Sequence, residues 1–254
     1  MVQSLTLENG LSLSYLGKDL GEGPLPALFY FALSGEESLM LDPYNQPAAF
    51  LANYPMRLFS MSLPFHGPGF SPVEALTFWA KRLAEGHNLI EEFVDQVKAA
   101  FEHLVNRGAI LHDHVGVAGL SRGAFIACHV AAKIPQIDTI LGFAPLVDLS
   151  STKEFEEIAE LPLIKSLRLE SQVDALIGRS LRFYIGNLDT RVGTSRCFQF
   201  IEMLSKKSQE RGVRSPRVEL RINPSIGHQG HGTSKEIFEH GAAWMARKLG
   251  ASLQ

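Results

Sequence analysis

Short, mostly apolar runs of strand length recur along the chain at residues 27–33, 57–63, 114–120, 139–145, 181–186 and 217–222, and most are separated by segments with helical periodicity. Ala27-Leu28-Phe29-Tyr30-Phe31-Ala32-Leu33 is continuously apolar and rich in aromatics, as expected of a strand covered on both faces. Alternation of such strands with helices predicts a mainly parallel sheet with helices on both sides. The start of the chain differs. Residues 3–7 and 11–16 alternate apolar and polar side chains around Glu8-Asn9-Gly10, the pattern of an antiparallel ribbon at a sheet edge.

The clearest helix spans residues 89–107, where Ile90, Phe93, Val94, Val97, Phe101, Leu104 and Val105 fall on one stripe and Gly108 stops it. Further helices are expected over 122–133, closed by Pro135, over 194–209 and over 234–249. With 254 residues, 45% of them apolar, and no repeat or flexible linker, the chain is expected to form one domain over 1–254. The least sheet-like stretch, 147–178, is read either as a small lid over a site or as a wandering connection.

Twenty-four Lys and Arg against 27 Asp and Glu give a net charge of −3, which argues against a basic nucleic-acid binder. Cys128 and Cys197 are too few for a disulfide framework, and no segment has the length of a signal peptide or membrane span, so a cytoplasmic protein is expected. The pairs His228-x-x-His231 and His112-x-His114 lack a third ligand, so no metal or other cofactor is expected. No G-x-G-x-x-G follows a strand and no G-x-x-x-x-G-K-[ST] is present, which leaves a nucleotide-binding reading without support.

The sharpest local feature is Gly119-Leu120-Ser121-Arg122-Gly123, a G-x-S-x-G sequence lying between a predicted strand and a predicted helix. On such a sharp turn the serine hydroxyl stands above the sheet, and glycines are needed on either side because a Cβ would collide with the neighbouring strand and helix. A serine hydroxyl becomes a nucleophile only with a base to take its proton and a carboxylate to orient that base. Asp189 follows the strand at 181–186, and catalytic groups in open parallel sheets gather at such strand ends. The next strand runs into a glycine-rich loop that carries His228 and His231. His228 is the expected base because it follows the strand end sooner, with His231 as the alternative. The N–H of Arg122 is one expected oxyanion donor, and the second is expected from the loop after 27–33, from Leu33, Ser34 or Gly35. The loop 64–70 is expected on the same edge, with a structural role first and lining of the pocket second.

With these residues in the order Ser121, Asp189, His228, the chain resembles the α/β-hydrolase superfamily over essentially its whole length. Gly186-Asn187-Leu188-Asp189-Thr190-Arg191-Val192 is similar to the G-x-x-D-x-x-V acid loop of dienelactone-hydrolase-like and prolyl-oligopeptidase-like members, and Ile226-Gly227-His228-Gln229-Gly230 to their G-H-G loop. The resemblance implies an eight-stranded, mostly parallel sheet with an antiparallel first ribbon, and the roles Ser121 nucleophile, Asp189 acid and His228 base. It also implies a serine hydrolase acting on a small acyl substrate, an ester first, through an acyl-enzyme. The alternatives are an acyltransferase or peptidase with the same triad, or a ligand-binding protein on the same fold. Two features depart from the family pattern: Leu33-Ser34-Gly35 replaces the His-Gly pair many members carry after the third strand, and the short connection from Pro145 to Leu181 leaves no room for a large cap domain.

Overall fold

The computed structural model describes residues 1–251. Eight strands, β1 (Gln3–Thr6), β2 (Ser12–Leu16), β3 (Leu25–Phe31), β4 (Arg57–Ser60), β5 (Ile110–Leu120), β6 (Thr139–Phe143), β7 (Ser180–Gly186) and β8 (Val218–Asn223), form one sheet in the spatial order β1-β2-β4-β3-β5-β6-β7-β8. β2 runs antiparallel to both neighbours, and every pairing from β4 to β8 is parallel. The predicted ribbon, the parallel sheet and the approximate place of each strand are therefore all present.

Nine α-helices accompany these strands among the described residues, the last of them after β8: α1 (Gly35–Met40), α2 (Gln46–Leu51), α3 (Ala75–Ala84), α4 (Leu89–Asn106), α5 (Arg122–Lys133), α6 (Pro162–Ser166), α7 (Val173–Leu176), α8 (Thr194–Glu210) and α9 (Lys235–Lys248). The strands divide their side chains between two cores by the alternation of the pleat. Phe29, Phe31, Val117, Ile140, Phe183 and Ile185 face α3, α4, α5 and α8. Leu28, Tyr30, Ala118, Leu141, Phe143 and Tyr184 face α1, α2 and α9.

The stripe expected on α4 is the stripe it buries, with Val105 only partly covered. Asn88 opens the helix by accepting the Glu91 N–H at 3.2 Å, and Gly108 closes it at φ +70°. Helices α1, α2 and α3 are absent from the sequence reading. The first two have only six residues each, too few for a periodic stripe to show. Residues 147–178 fold as α6, α7 and three short 3-10 segments, and Leu149, Phe155, Ile164, Leu169, Val173 and Leu176 join the core shared with α5 and α8. No helix among the described residues is long and apolar enough to cross a membrane.

Candidate active site

The parallel pairing sets the ends of β5, β6, β7 and β8 side by side, with Leu120 beside Phe143, Phe143 beside Tyr184 and Gly186 beside Asn223. Ser121 stands between β5 and α5 at φ +55°, ψ −117°, a positive-φ conformation outside the left-handed helical region that L residues rarely adopt. It is held from both sides: its N–H donates to Phe143 O at 2.8 Å, and its carbonyl accepts from Ala124 N at 3.0 Å and Leu146 N at 3.2 Å. The two glycines are required by space. A Cβ on Gly119 would lie 2.1 Å from the carbonyl carbon of Gly123, and one on Gly123 would lie 1.9 Å from Phe31 O. The turn brings β5, α5 and β3 closer than any side chain allows.

Asp189 is buried three residues beyond β7. Its Oδ1 accepts the N–H groups of Arg191 at 3.0 Å and Val192 at 3.1 Å, closing the turn on itself, and its own N–H donates to Thr194 Oγ1 at 3.0 Å. That hydroxyl donates in turn to Gly186 O at 2.6 Å, which ties the loop to the strand end. The second carboxylate oxygen, Oδ2, accepts from His231 Nδ1 at 2.7 Å. With Nδ1 carrying the proton, His231 Nε2 accepts from Ser121 Oγ at 2.9 Å. One continuous chain of hydrogen bonds thus runs from a buried carboxylate to a serine hydroxyl.

The histidine in this chain is His231, which corrects the expectation of His228. The loop after β8 must first cross the end of β7. Ser225 Oγ accepts Leu188 N at 2.7 Å, Ser225 N donates to Asn187 Oδ1 at 3.0 Å, and Gln229 O accepts Thr190 N at 2.9 Å. Gly227, Gln229 and Gly230 all take positive φ as the chain turns there, and His228 is left exposed on the outer side of that turn. A Cβ on Gly230 would lie 2.2 Å from Leu188 O, so only glycine lets the turn sit on the acid loop. A signal for His231 is present in the sequence: Gly230-His231-Gly232 is the strict G-H-G triplet.

The amides expected to supply a second oxyanion donor are already engaged. Ser34 caps α1 in a capping box with Glu37, whose Oε2 accepts Ser34 N at 3.3 Å and Ser34 Oγ at 2.6 Å. Gly35 N donates to Ser62 Oγ at 3.0 Å, and Ala32 N and Leu33 N both donate to the buried Ser38 Oγ, at 3.1 and 2.9 Å. The N–H groups of Ser34 and Gly35, the expected oxyanion donors, thus already have acceptors in this structure, and the Ser34-x-x-Glu37 spacing of a helix start is the sign of it in the sequence. Arg122 is the first residue of α5, so its N–H has no acceptor within the helix and stands beside Ser121.

The loop expected at residues 64–70 lies on this edge. Pro64 O accepts both Trp79 Nε1, at 2.8 Å, and His66 Nδ1, at 2.9 Å, while Phe65, Phe70 and Phe78 pack with ring centroids 5.1–5.8 Å apart. Burial, and next to it the charge of Arg122, push His66 down to about 4 against the Pro64 hydrogen bond, so this imidazole is neutral at physiological pH. Across the site, Arg191 donates to both oxygens of Glu154, at 2.8 and 3.3 Å, joining the acid loop to the 147–178 segment. No group of three or more His, Cys, Asp or Glu among the described residues is arranged to hold a metal ion.

No family model and no curated protein sequence matches the chain. Solved structures do resemble it. TT1662 from Thermus thermophilus superposes with a TM-score of 0.72 at 20% identity, over 99% of this chain and 100% of that one. Esterase Pf2001 from Pyrococcus furiosus gives 0.65 at 18% identity, over 100% of this chain and 93% of that one. Prolyl oligopeptidase B from Galerina marginata gives 0.69 at 18% identity, with all of this chain covering 37% of that protein. With an eight-stranded sheet antiparallel only at its start, a serine on the sharp turn after β5 and these structural neighbours, the chain has the α/β-hydrolase fold.

Proposed function

We propose that the protein is a serine hydrolase that cleaves a carboxylic ester through an acyl-enzyme on Ser121, with His231 as the base and Asp189 as the acid. The observation that carries this reading is the chain Asp189 Oδ2–His231 Nδ1, 2.7 Å, and His231 Nε2–Ser121 Oγ, 2.9 Å. In the first half-reaction Ser121 Oγ attacks the ester carbonyl as its proton passes to His231 Nε2. Asp189, buried and fixed by two backbone N–H groups, holds the ring in the tautomer that can accept that proton and favours the imidazolium that forms. The Arg122 N–H donates to the developing oxyanion. His231 then gives its proton to the leaving alcohol, and a water activated by the same nitrogen releases the acid.

Two solved neighbours are described as an esterase and a prolyl oligopeptidase. The chain covers 93% of the esterase and 37% of the oligopeptidase, which supports an ester over a peptide as substrate. Cys128 and Cys197, both free and buried, fit the cytoplasmic location expected from the sequence.

The test is labelling with a fluorophosphonate probe, with the adduct located by mass spectrometry in the parent protein and in Ser121→Ala, His231→Ala and His228→Ala. The reading expects an adduct on Ser121 that forms readily in the parent and His228→Ala proteins but is lost or greatly slowed in His231→Ala. A folded parent protein that forms no adduct and turns over no 4-nitrophenyl ester sinks it.

A further inference from the structure

The side chain of Arg122 is not accounted for by the acyl-transfer step. Its Nη1 donates to Pro72 O at 2.9 Å and lies 3.4 Å from His66 Nε2, both on the stretch that follows β4. Because His66 Nδ1 is turned to Pro64 O, Nε2 is the accepting nitrogen, and this contact brings no negative charge. Arg168, Arg182, Arg191 and Arg196 each reach a carboxylate within 4.0 Å, whereas Arg122 reaches none among the described residues. The nearby carboxylate, Glu154, has both oxygens on Arg191.

Arg122 therefore lies within reach of the charges of Arg191 and Glu154, which pair with each other and leave it without a carboxylate of its own. Burial, followed by repulsion from Arg191, lowers Arg122 to about 10, so the group remains cationic at neutral pH in a place that disfavours its charge. The rest of its fork is open. Nε and Nη2 have no hydrogen-bond partner among the described residues, and neither is among the buried polar atoms sealed from solvent. Phe65 and Phe70, on the same loop that anchors Nη1, form an aromatic cluster with Phe78 of α3.

We propose that Arg122 is a specificity-determining residue whose free Nε–H and Nη2–H receive a carboxylate carried by the substrate, so that the protein prefers esters bearing an anionic group near the scissile bond. The inference rests on the serine hydrolase reading above and names the substrate class for that site. Two parallel N–H donors match the two oxygens of a carboxylate, and Nη1, tied to Pro72 O, keeps the fork from rotating away. An incoming carboxylate also neutralises the surplus positive charge left by the Arg191–Glu154 pair. The backbone of the same residue serves the oxyanion, so substrate charge and the reacting carbonyl are referred to one rigid helix start.

The experiment compares kcat/KM for two matched pairs of esters: mono(4-nitrophenyl) glutarate with 4-nitrophenyl pentanoate, which differ in charge on the acyl side, and 4-carboxyphenyl acetate with phenyl acetate, which differ on the leaving-group side. Each is measured on the parent protein, Arg122→Gln and Arg122→Lys, and the ratio of ratios cancels intrinsic reactivity. In at least one pair, the anionic-to-neutral ratio is expected to fall about tenfold in Arg122→Gln and less in Arg122→Lys, as for loss of one charge-assisted contact. In the parent protein, the preference for the anionic ester is expected to weaken as salt is raised, a readout that needs no variant to fold. Ratios unchanged within about twofold in both pairs, with no salt dependence, overturn the proposal while leaving the hydrolase reading standing. Absence of ester turnover together with absence of a Ser121 adduct brings down both.

Discussion

Each oxygen of Asp189 has its own partners, and that division fixes which histidine it binds. Oδ1 is consumed by the N–H groups of Arg191 and Val192, so Oδ2 is left for one imidazole, and the turn at residues 227–230 delivers His231 to it. On the proposed mechanism, His231→Ala is expected to lower kcat by about 10⁴ or more, because the serine loses its base. His228→Ala, exposed and outside the hydrogen-bond chain, is expected to stay within about threefold of the parent. Steady-state kinetics on a 4-nitrophenyl ester distinguish the two; the reverse order removes His231 from the mechanism. Asp189→Asn is expected to cost about 10⁴ in kcat with little change in KM, since the amide cannot favour the imidazolium or hold the same tautomer.

At the level of elements, the turn between β5 and α5 is the tightest point in the site. Gly119→Ala and Gly123→Ala place a Cβ about 2 Å from backbone atoms of α5 and β3, which cannot move aside without opening the sheet. Each is expected to cost about 4 kcal/mol or more in urea unfolding, or to leave no soluble protein. Gly67→Ala is the control: nothing lies within 4 Å of its Cβ position, and the change is expected to stay within about 0.5 kcal/mol. Equal midpoints for all three would mean that β5 and α5 do not meet this closely.

A second prediction at this level concerns residues 147–178, which are pinned at one end by the Glu154–Arg191 pair. The Glu154 side chain is only 9% exposed; its burial raises the carboxyl, but the Arg191 hydrogen bond and charge more than offset this and hold it below the usual carboxylate range. Glu154→Gln leaves Arg191 without its ion-pair partner. It is expected to speed proteolytic cleavage within 147–178 relative to the rest of the chain, read by limited digestion and mass spectrometry. An unchanged cleavage pattern shows that the apolar anchors Phe155, Ile164 and Leu169 hold the segment without it.

For the whole molecule, two buried histidines tie stability to pH. Burial first of all pushes His66 and His129 from 6.5 down to about 4, against hydrogen bonds to Pro64 O and Leu167 O that act the other way. Between these values the unfolded chain binds protons that the folded chain does not, so stability rises with pH across this window. The contribution is complete above the unfolded value of 6.5 and is lost progressively as pH falls towards about 4. The melting temperature is expected to drop as pH falls from neutral to about 4.5, and His129→Gln is expected to make that drop shallower. Taking the difference between the two proteins cancels the carboxylates common to both. Parallel curves would show that His129 titrates normally in the folded state.

Strand positions, the ribbon at the start, α4, α5, α8, α9, the strained serine turn and the acid loop were legible in the amino-acid order, because each depends on local periodicity or on a side chain that a local turn can or cannot hold. Gly119 and Gly123 are the clearest case, since their absence of a Cβ anticipates contacts of 2.1 and 1.9 Å with chain segments on either side. The choice of histidine was not legible by distance from the strand end. It depends on how much chain is spent crossing from Asn223 past Leu188 and Thr190, a length set by the pairing of β7 with β8. The engagement of the amides of residues 33–35 is illegible for a related reason: their acceptors, Ser38, Ser62 and Glu37, include a partner 27 residues away, and a backbone N–H shows in sequence only as a donor, never as a donor already engaged. Sequence by itself determined which residues could carry the chemistry and where local elements begin and end. The tertiary structure alone decided which of those groups meet, because the contacts that align or occupy them are made between elements.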